Sequence, residues 1–546
     1  MSRLLVFLLL VAPCALGAEA AMHHEMILRN GTLYDGGGGA PFVADLAIDG
    51  DRIAAIGDLS GRTADSDIDV EGLAVAPGFI NMLSWSNLSL LQDGRSLSDI
   101  RQGVTLEVMG EGHSMGPLNE AMKQEKRENQ SDIRYDVAWT TLGEYLQHLE
   151  DRGVSTNVAS FVGASTVRQH VMGYEDRAAS ADELMQMKEL VEGAMLEGAM
   201  GLSSALVYVP GNFAGTGELV ELAGVAAGFD GLYTSHMRNE GKTIFDALDE
   251  FMTIVRESGI RGEIYHLKVS GKENWDKLDK VILRIEAARA EGLPVTADIY
   301  PYHASSTGLT IELPGWAKEG GQDALIERLK DPALRPKIAA DMDMIPPGDL
   351  MLTNFENPAL RHLIGKTLAD VSEQRGTSPE ETAFDLIVED DSRVGTVRFT
   401  MSEDNIRKKI ALPWVSFCSD SSSQAPEPPF TFSQPHPRGY GAFARLLGKY
   451  VREEQVIPLE EAIHRLTRFP ARNLRLEQRG GLEPGFFADV VVFDPATIID
   501  RATFEEPHQL AVGVMHVFVN GEQVLRDGEH TGARPGRFVR GPGYRP

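Results

Sequence analysis

Two histidines and an aspartate close three apolar, strand-like runs that lie far apart in the chain: Thr234-Ser235-His236, Ile264-Tyr265-His266 and Cys418-Ser419-Asp420. His236 and His266 are separated by about one strand–helix unit, and in a parallel barrel consecutive strand ends lie side by side on the face that carries active sites. Two neutral imidazoles placed there can share one Zn2+. A carboxylate beside such an ion can orient a water, take its proton and return it to a leaving amine, which is the chemistry open to Asp420. Glu111, in Val108-Met109-Gly110-Glu111-Gly112-His113-Ser114, also follows an apolar run, and carboxylate oxygen is an accepted Zn2+ ligand. His113 is a weaker candidate, as a further ligand or as a donor to a developing oxyanion. Taken singly, each residue has a plainer reading: a packed histidine, a turn-capping aspartate, a solvated turn glutamate. The pattern carries the expectation, not any one member of it.

Such a set needs a scaffold that brings distant strand ends together, and the middle of the chain alternates accordingly. The run Val158-Ala159-Ser160-Phe161-Val162-Gly163 is followed by an amphipathic stretch over 181–197, then Gly201-Leu202-Ser203-Ser204 and a helix over 216–228. The His236 strand, a helix over 243–258, the His266 strand and a helix over 274–291 lead to Val295-Thr296-Ala297-Asp298-Ile299. Strand–helix units of roughly 30 residues in this order predict an α/β fold, a (β/α)8 TIM-like barrel over 77–475. From about 310 to 395 the pattern turns helical and charged, with Pro346-Pro347 within it, which predicts a helical insertion capping the barrel mouth. Barrel strands are expected to resume at Gly395-Thr396-Val397-Arg398-Phe399 and Val415-Ser416-Phe417. Both ends are strand-rich, with Asp49-Gly50 a hairpin signal near the start and Val490 to Phe493 and Val517 to Leu525 near the finish. They predict one small β-sandwich built from 21–76 and 476–546.

The chain has 546 residues and a net charge of −28, from 52 Lys and Arg against 80 Asp and Glu. That balance disfavours nucleic acid or an anionic membrane as partner, although a local Arg/Lys cluster can still invert the field inside one cleft. Ser2-Arg3, the apolar run Leu4 to Val11 and Ala18-Glu19-Ala20 read as a signal peptide over 1–20, so the protein is expected in the bacterial periplasm or secreted. No later segment reaches about 18 uninterrupted apolar residues, so no membrane span is expected. Cys14 follows Pro13, unlike the small residue that precedes a lipidated cysteine, and a lipoprotein is the lesser reading. After cleavage only Cys418 remains, which rules out a disulfide framework.

Further motifs carry a resemblance. Gly481-Leu482-Glu483-Pro484-Gly485 through Asp494-Pro495 resembles the C-terminal signature of the amidohydrolase superfamily. Tyr208-Val209-Pro210-Gly211, Ser235 to Glu240, His266-Leu267-Lys268, Tyr300-Pro301-Tyr302 with Ser305-Ser306-Thr307, and His436-Pro437-Arg438 resemble its N-acyl-D-amino-acid deacylase (D-aminoacylase) branch. The resemblance implies a zinc enzyme that cleaves the amide of N-acyl-D-amino acids, with His236 and His266 on the metal and Asp420 as acid and base. It places Glu111 where the branch presents a metal-binding cysteine. It also implies Tyr208, Lys268, Tyr300, Ser306 and Arg438 as substrate-binding residues; a forked Arg and a point-charge Lys suit a free carboxylate. The chain departs from the superfamily in Asn81-Met82-Leu83-Ser84-Trp85, where a His-x-His pair would help to hold a second metal. Leu83 and Trp85 cannot bind one, so one Zn2+ per chain is expected, with apolar bulk filling the vacated space. D-amino-acid-containing dipeptides or cyclic amides are alternative small-molecule substrates. A non-catalytic binding protein on the same barrel is the alternative from another class.

Overall fold

The computed structural model describes residues 22–545. The expected signal peptide over 1–20, and Cys14 with it, lies outside the described residues. Eight parallel strands form the barrel: β1 (Phe79–Asn81), β2 (Val104–Met109), β3 (Asn157–Ser160, continued by Val162–Gly163), β4 (Gly201–Ala205), β5 (Leu232–His236), β6 (Arg261–Ile264), β7 (Val295–Ile299) and β8 (Val415–Phe417). Neighbours pair in chain order. Between β2 and the interrupted β3, Phe161 N–H reaches Met109 O (2.9 Å). The ring closes where Asp420 N–H donates to Leu83 O (2.9 Å) and Ser84 bridges Ser421 in parallel. Strands buried on both faces read as continuous apolar runs, and all six residues of β2 are buried. The helices between them, such as Ala181–Glu197, Thr216–Ala227 and Ile244–Ser258, turn apolar faces inward. The first of these opens with a Ser180–Glu183 capping box and ends at Gly198 in the left-handed region.

Both chain ends contribute to one nine-stranded sheet. Phe42–Asp49 and Arg52–Gly57 form the hairpin announced by Asp49-Gly50. Ala74–Pro77 pairs antiparallel with Val490–Phe493, which joins the two ends. Ile53 N–H donates to Phe486 O (2.9 Å), so the sheet curls back on itself around Leu28, Leu46, Val75, Val490 and Phe518.

The insertion carries the expected helices and a core of its own, with Leu329, Leu352, Phe355, Phe384 and Ile387 fully buried. It also contains a three-stranded antiparallel sheet of Ser305–Gly308, Gly395–Arg398 and Leu350–Asn354. This corrects the expectation that Gly395 to Phe399 resumes the barrel. The segment has a strand's composition, but its ladder partners lie in the insertion, and the barrel resumes only at β8.

Candidate metal and active site

Glu111, His236 and His266 come together at the C-terminal ends of β2, β5 and β6, each offering a ligand atom within 4.8 Å of the others. His236 Nδ1 lies 2.9 Å and His266 Nε2 3.0 Å from Glu111 Oε1. The rings meet edge to face at 4.4 Å. The backbone is arranged for this. Gly110 and Gly112 on either side of Glu111 have φ of +103° and +62°, and a Cβ on either would clash with Phe161 O or Ala205. Ser203 Oγ ties the same loop to β4, accepting from Gly112 N–H (3.0 Å) and donating to Gly110 O. His266 has φ +36°, a conformation costly outside glycine, and Asp298 on β7 holds it by accepting its N–H at Oδ1 (2.7 Å). Asp420 is likewise left-handed, at φ +47°.

A second carboxylate stands behind the imidazoles. Glu240 Oε1 is 3.1 Å from His266 Nδ1, and Oε2 is 3.5 Å from His236 Nε2. The near nitrogens thus face Glu111 and the far ones face Glu240, with Lys268 Nζ also 2.6 Å from His266 Nδ1, and a carboxylate behind the imidazoles helps to orient them for a cation. Lys268 Nζ neutralises Glu240 at 2.7 Å. Burial and Lys268 oppose a charge on His266, yet Glu240, Asp420 and Glu111 prevail and push it up to about 10. Burial works against the Glu111 carboxylate, but the two histidines hold it well below the usual range. The pocket therefore favours positive charge strongly, and its donors are two imidazoles and a carboxylate, which fits a divalent cation.

Asp420 Oδ1 accepts from Trp85 Nε1 (3.1 Å), and Oδ2 lies 2.7 Å from Arg438 Nη1. Leu83 is fully buried apolar bulk, as expected, whereas Trp85 also serves as a donor. Arg438 is buried, covers the Tyr300 ring at 4.4 Å, and leaves Nε and Nη1 without a hydrogen-bond partner, the Asp420 contact being an ion pair. The Tyr300 hydroxyl is also buried and unpartnered. An orphaned guanidinium edge beside an orphaned hydroxyl suits a carboxylate. Tyr208 packs its ring 5.4 Å from His236 and shares a hydrogen bond with Thr307 Oγ1 (2.8 Å).

Two of the anticipated substrate residues have polar partners within the protein. Lys268 Nζ donates to Glu240 Oε1 (2.7 Å) and lies 2.6 Å from His266 Nδ1. Ser306 lies in the insertion sheet and donates to Thr396 O (3.0 Å), while its neighbour Thr307 meets Tyr208. His113 lies two residues beyond Glu111 and outside the candidate trio; burial, with Lys126 and Arg393 nearby, lowers it to about 4. Glu240 is the residue that sequence reasoning left without a role, although it follows His236 by four positions.

The model of the amidohydrolase family matches residues 67–525. The D-aminoacylase of Alcaligenes xylosoxydans xylosoxydans is 34% identical over 519 residues, covering 94% of this chain and 97% of that protein. Among solved structures, the N-acyl-D-glutamate deacylase of Bordetella bronchiseptica, complexed with zinc and a phosphonate mimic of the tetrahedral intermediate, superposes with a TM-score of 0.79. It is 32% identical, and the match covers 95% of this chain and 100% of that one. A D-aminoacylase described in terms of one-metal activation and second-metal attenuation gives 0.80, at 33% identity and the same coverage. The chain belongs to the amidohydrolase family, as a relative of the D-aminoacylases and a hydrolase of carbon–nitrogen bonds other than peptide bonds.

Proposed function

We propose that the protein deacylates N-acyl-D-amino acids using one zinc ion held by Glu111, His236 and His266. The observation that carries this reading is the meeting of those three side chains, braced by Glu240, with Asp420 and an unsatisfied Arg438–Tyr300 pair beside them. A bound zinc would supply Lewis acidity, polarising the scissile carbonyl and making a water acidic enough to attack near neutral pH. Asp420 is held at both oxygens, and each keeps a lone pair free to accept the water proton. Having taken it, the carboxyl is placed to return it to the leaving nitrogen. Arg438 and the Tyr300 hydroxyl hold the substrate's α-carboxylate, and the Tyr208 ring bounds the site beside His236. Zinc complements this donor set, and it accompanies the N-acyl-D-glutamate deacylase that superposes on this chain. The single-ion stoichiometry rests on Leu83 and Trp85, which offer no ligand. The N-terminal sequence supports export to the periplasm, which cell fractionation of the expressed full chain checks.

The central test is hydrolysis of N-acetyl-D- and N-acetyl-L-amino acids by wild type, Asp420→Asn and His236→Ala. Turnover of the D-substrates is expected, with loss in both variants; unchanged turnover in either would overturn the residue roles. Metal analysis after zinc saturation should give about one ion per chain, and two would overturn the single-zinc reading.

A further inference from the structure

We propose that His436 is a positioning residue that sets the spacing between Arg438 and Tyr300, the two halves of the carboxylate site. The inference rests on the deacylase reading and deepens it: His436 governs how tightly the substrate's α-carboxylate is held, and does so through the other two residues.

Arg438 and Tyr300 reach the site from different segments, and strand pairing does not fix their separation. The β7–β8 ladder ends at Ile299 and Phe417, followed by one hydrogen bond from Cys418 N–H to Ile299 O (3.0 Å), short of both residues. Arg438 opens the helix Arg438–Arg445. The far end of that helix is pinned where Arg445 Nε donates to Pro301 O (2.9 Å). Its first turn is held by His436. The imidazole Nδ1 accepts from the backbone N–H of Arg438 (3.0 Å), and Nε2 donates to Ala304 O (3.0 Å). Ala304 closes the run Tyr300-Pro301-Tyr302-His303-Ala304, so one flat ring spans from the Arg438 backbone to the Tyr300 segment.

The surroundings leave this ring one arrangement. An N–H on one side and a carbonyl on the other admit only the neutral tautomer with its proton on Nε2. The Arg438 N–H belongs to the first turn of its helix, where no carbonyl of the helix itself can accept it. His436 is buried, and Tyr302 and Phe504 meet it edge to face at 5.2 Å and 5.0 Å. Burial and then the Arg438 charge hold its pKa well below the ordinary histidine value, so Nδ1 keeps the lone pair that accepts. Arg438 lies 4.4 Å over the Tyr300 ring, with Nε and Nη1 free of hydrogen-bond partners and the Tyr300 hydroxyl unpartnered as well. These groups can share one carboxylate only while the helix start and the Tyr300 segment keep their spacing, because a guanidinium–carboxylate contact depends on geometry as well as charge.

Kinetics are measured with whichever of N-acetyl-D-leucine and N-acetyl-D-glutamate the zinc-loaded full-length wild type turns over faster, with the free D-amino acid as inhibitor. H436F keeps an aromatic ring and removes both polar atoms. H436N keeps an acceptor beside the Arg438 N–H but is too short to reach Ala304 O, so it breaks the bridge with the helix turn still capped. Each variant should raise KM and the inhibition constant together by about tenfold, with kcat within about twofold and zinc content unchanged, because the carboxylate is held in ground and transition states alike. A histidine that only supports the fold would lower the melting temperature and leave both constants in place. The proposal is overturned if either folded variant leaves KM and the inhibition constant within about twofold of wild type, or lowers kcat with KM held. If only one variant folds, that one decides; failure of both to fold would make His436 a structural residue and overturn the proposal too. Wild type that hydrolyses neither substrate overturns the deacylase reading, and this inference with it.

Discussion

The indole N–H of Trp85 donates to Asp420 Oδ1 across 3.1 Å, while Arg438 Nη1 stands 2.7 Å from Oδ2. Trp85 occupies the position where the superfamily resemblance places the second histidine of a His-x-His pair. An indole N–H only donates, so it can orient a carboxylate but cannot coordinate a cation. One dipole and one guanidinium thus hold the proposed acid–base residue, with no ligand for a second metal from β1.

Trp85→Phe keeps the aromatic bulk and removes the donor. We expect kcat to fall about tenfold, equivalent to ~1.4 kcal/mol of lost orientation, with KM and zinc content unchanged. Steady-state kinetics alongside metal analysis checks this. An unaltered kcat would mean that Arg438 and the Leu83 carbonyl bridge suffice to hold Asp420.

Glu240 faces the far nitrogens of both histidines and is itself paired with Lys268. Glu240→Gln keeps the shape but removes the negative charge that faces both imidazoles. Zinc affinity should fall about 10- to 100-fold, as for other carboxylates behind metal-bound histidines. Competition against a chromogenic chelator measures it, independently of any activity. An unchanged dissociation constant would reduce Glu240 to a partner for Lys268 alone.

Arg438 is buried with an unpartnered Nε, beside the unpartnered Tyr300 hydroxyl. Arg438→Lys retains a charge but loses the planar fork. For N-acetyl-D-leucine we expect kcat/KM to drop about 100-fold, mainly through KM, because a buried guanidinium–carboxylate contact is worth ~2–3 kcal/mol. A fall in kcat with KM unchanged would assign Arg438 to orienting Asp420 instead of binding substrate.

The residues at the heart of the site were legible because barrel strands end in register. Glu111, His236, His266 and Asp420 each follow an apolar run, and β2, β5, β6 and β8 bring those ends onto one face. Partner choice was not legible. Lys268 and Arg438 are equally cationic in the sequence, and only the fold shows that Glu240 faces one and Asp420 the other. Ser306 and Thr307 are adjacent and similar, but strand alternation sends one hydroxyl to Thr396 O and the other to Tyr208. Gly395 to Arg398 has strand composition, which records a half-buried pleated surface and not the sheet that supplies its partners. Tryptophan at position 85 reads first as bulk, and its single N–H gains meaning only once Asp420 is placed.

Glu263 on β6 carries the last prediction. It is buried inside the barrel, where Oε2 accepts from Thr296 (2.7 Å) and Asn473 (2.8 Å). Burial and then the nearby Asp298 push its carboxyl up to about 8, whereas in the unfolded chain it titrates near the ordinary glutamate value. The folded state therefore binds the extra proton, and its stabilising contribution is complete below the unfolded pKa. It is lost as pH rises through the folded value near 8. Thermal stability should fall between pH 6 and pH 9, with a contribution from this group of at most ~1.4 kcal/mol per pH unit, the linkage slope for one proton. Glu263→Gln preserves an acceptor for Thr296 and Asn473 while removing the titration, so its melting temperature should decline less over the same interval. Calorimetric scans of both proteins across that range decide the matter, and parallel curves would mean that Glu263 keeps the same protonation in the folded and unfolded states.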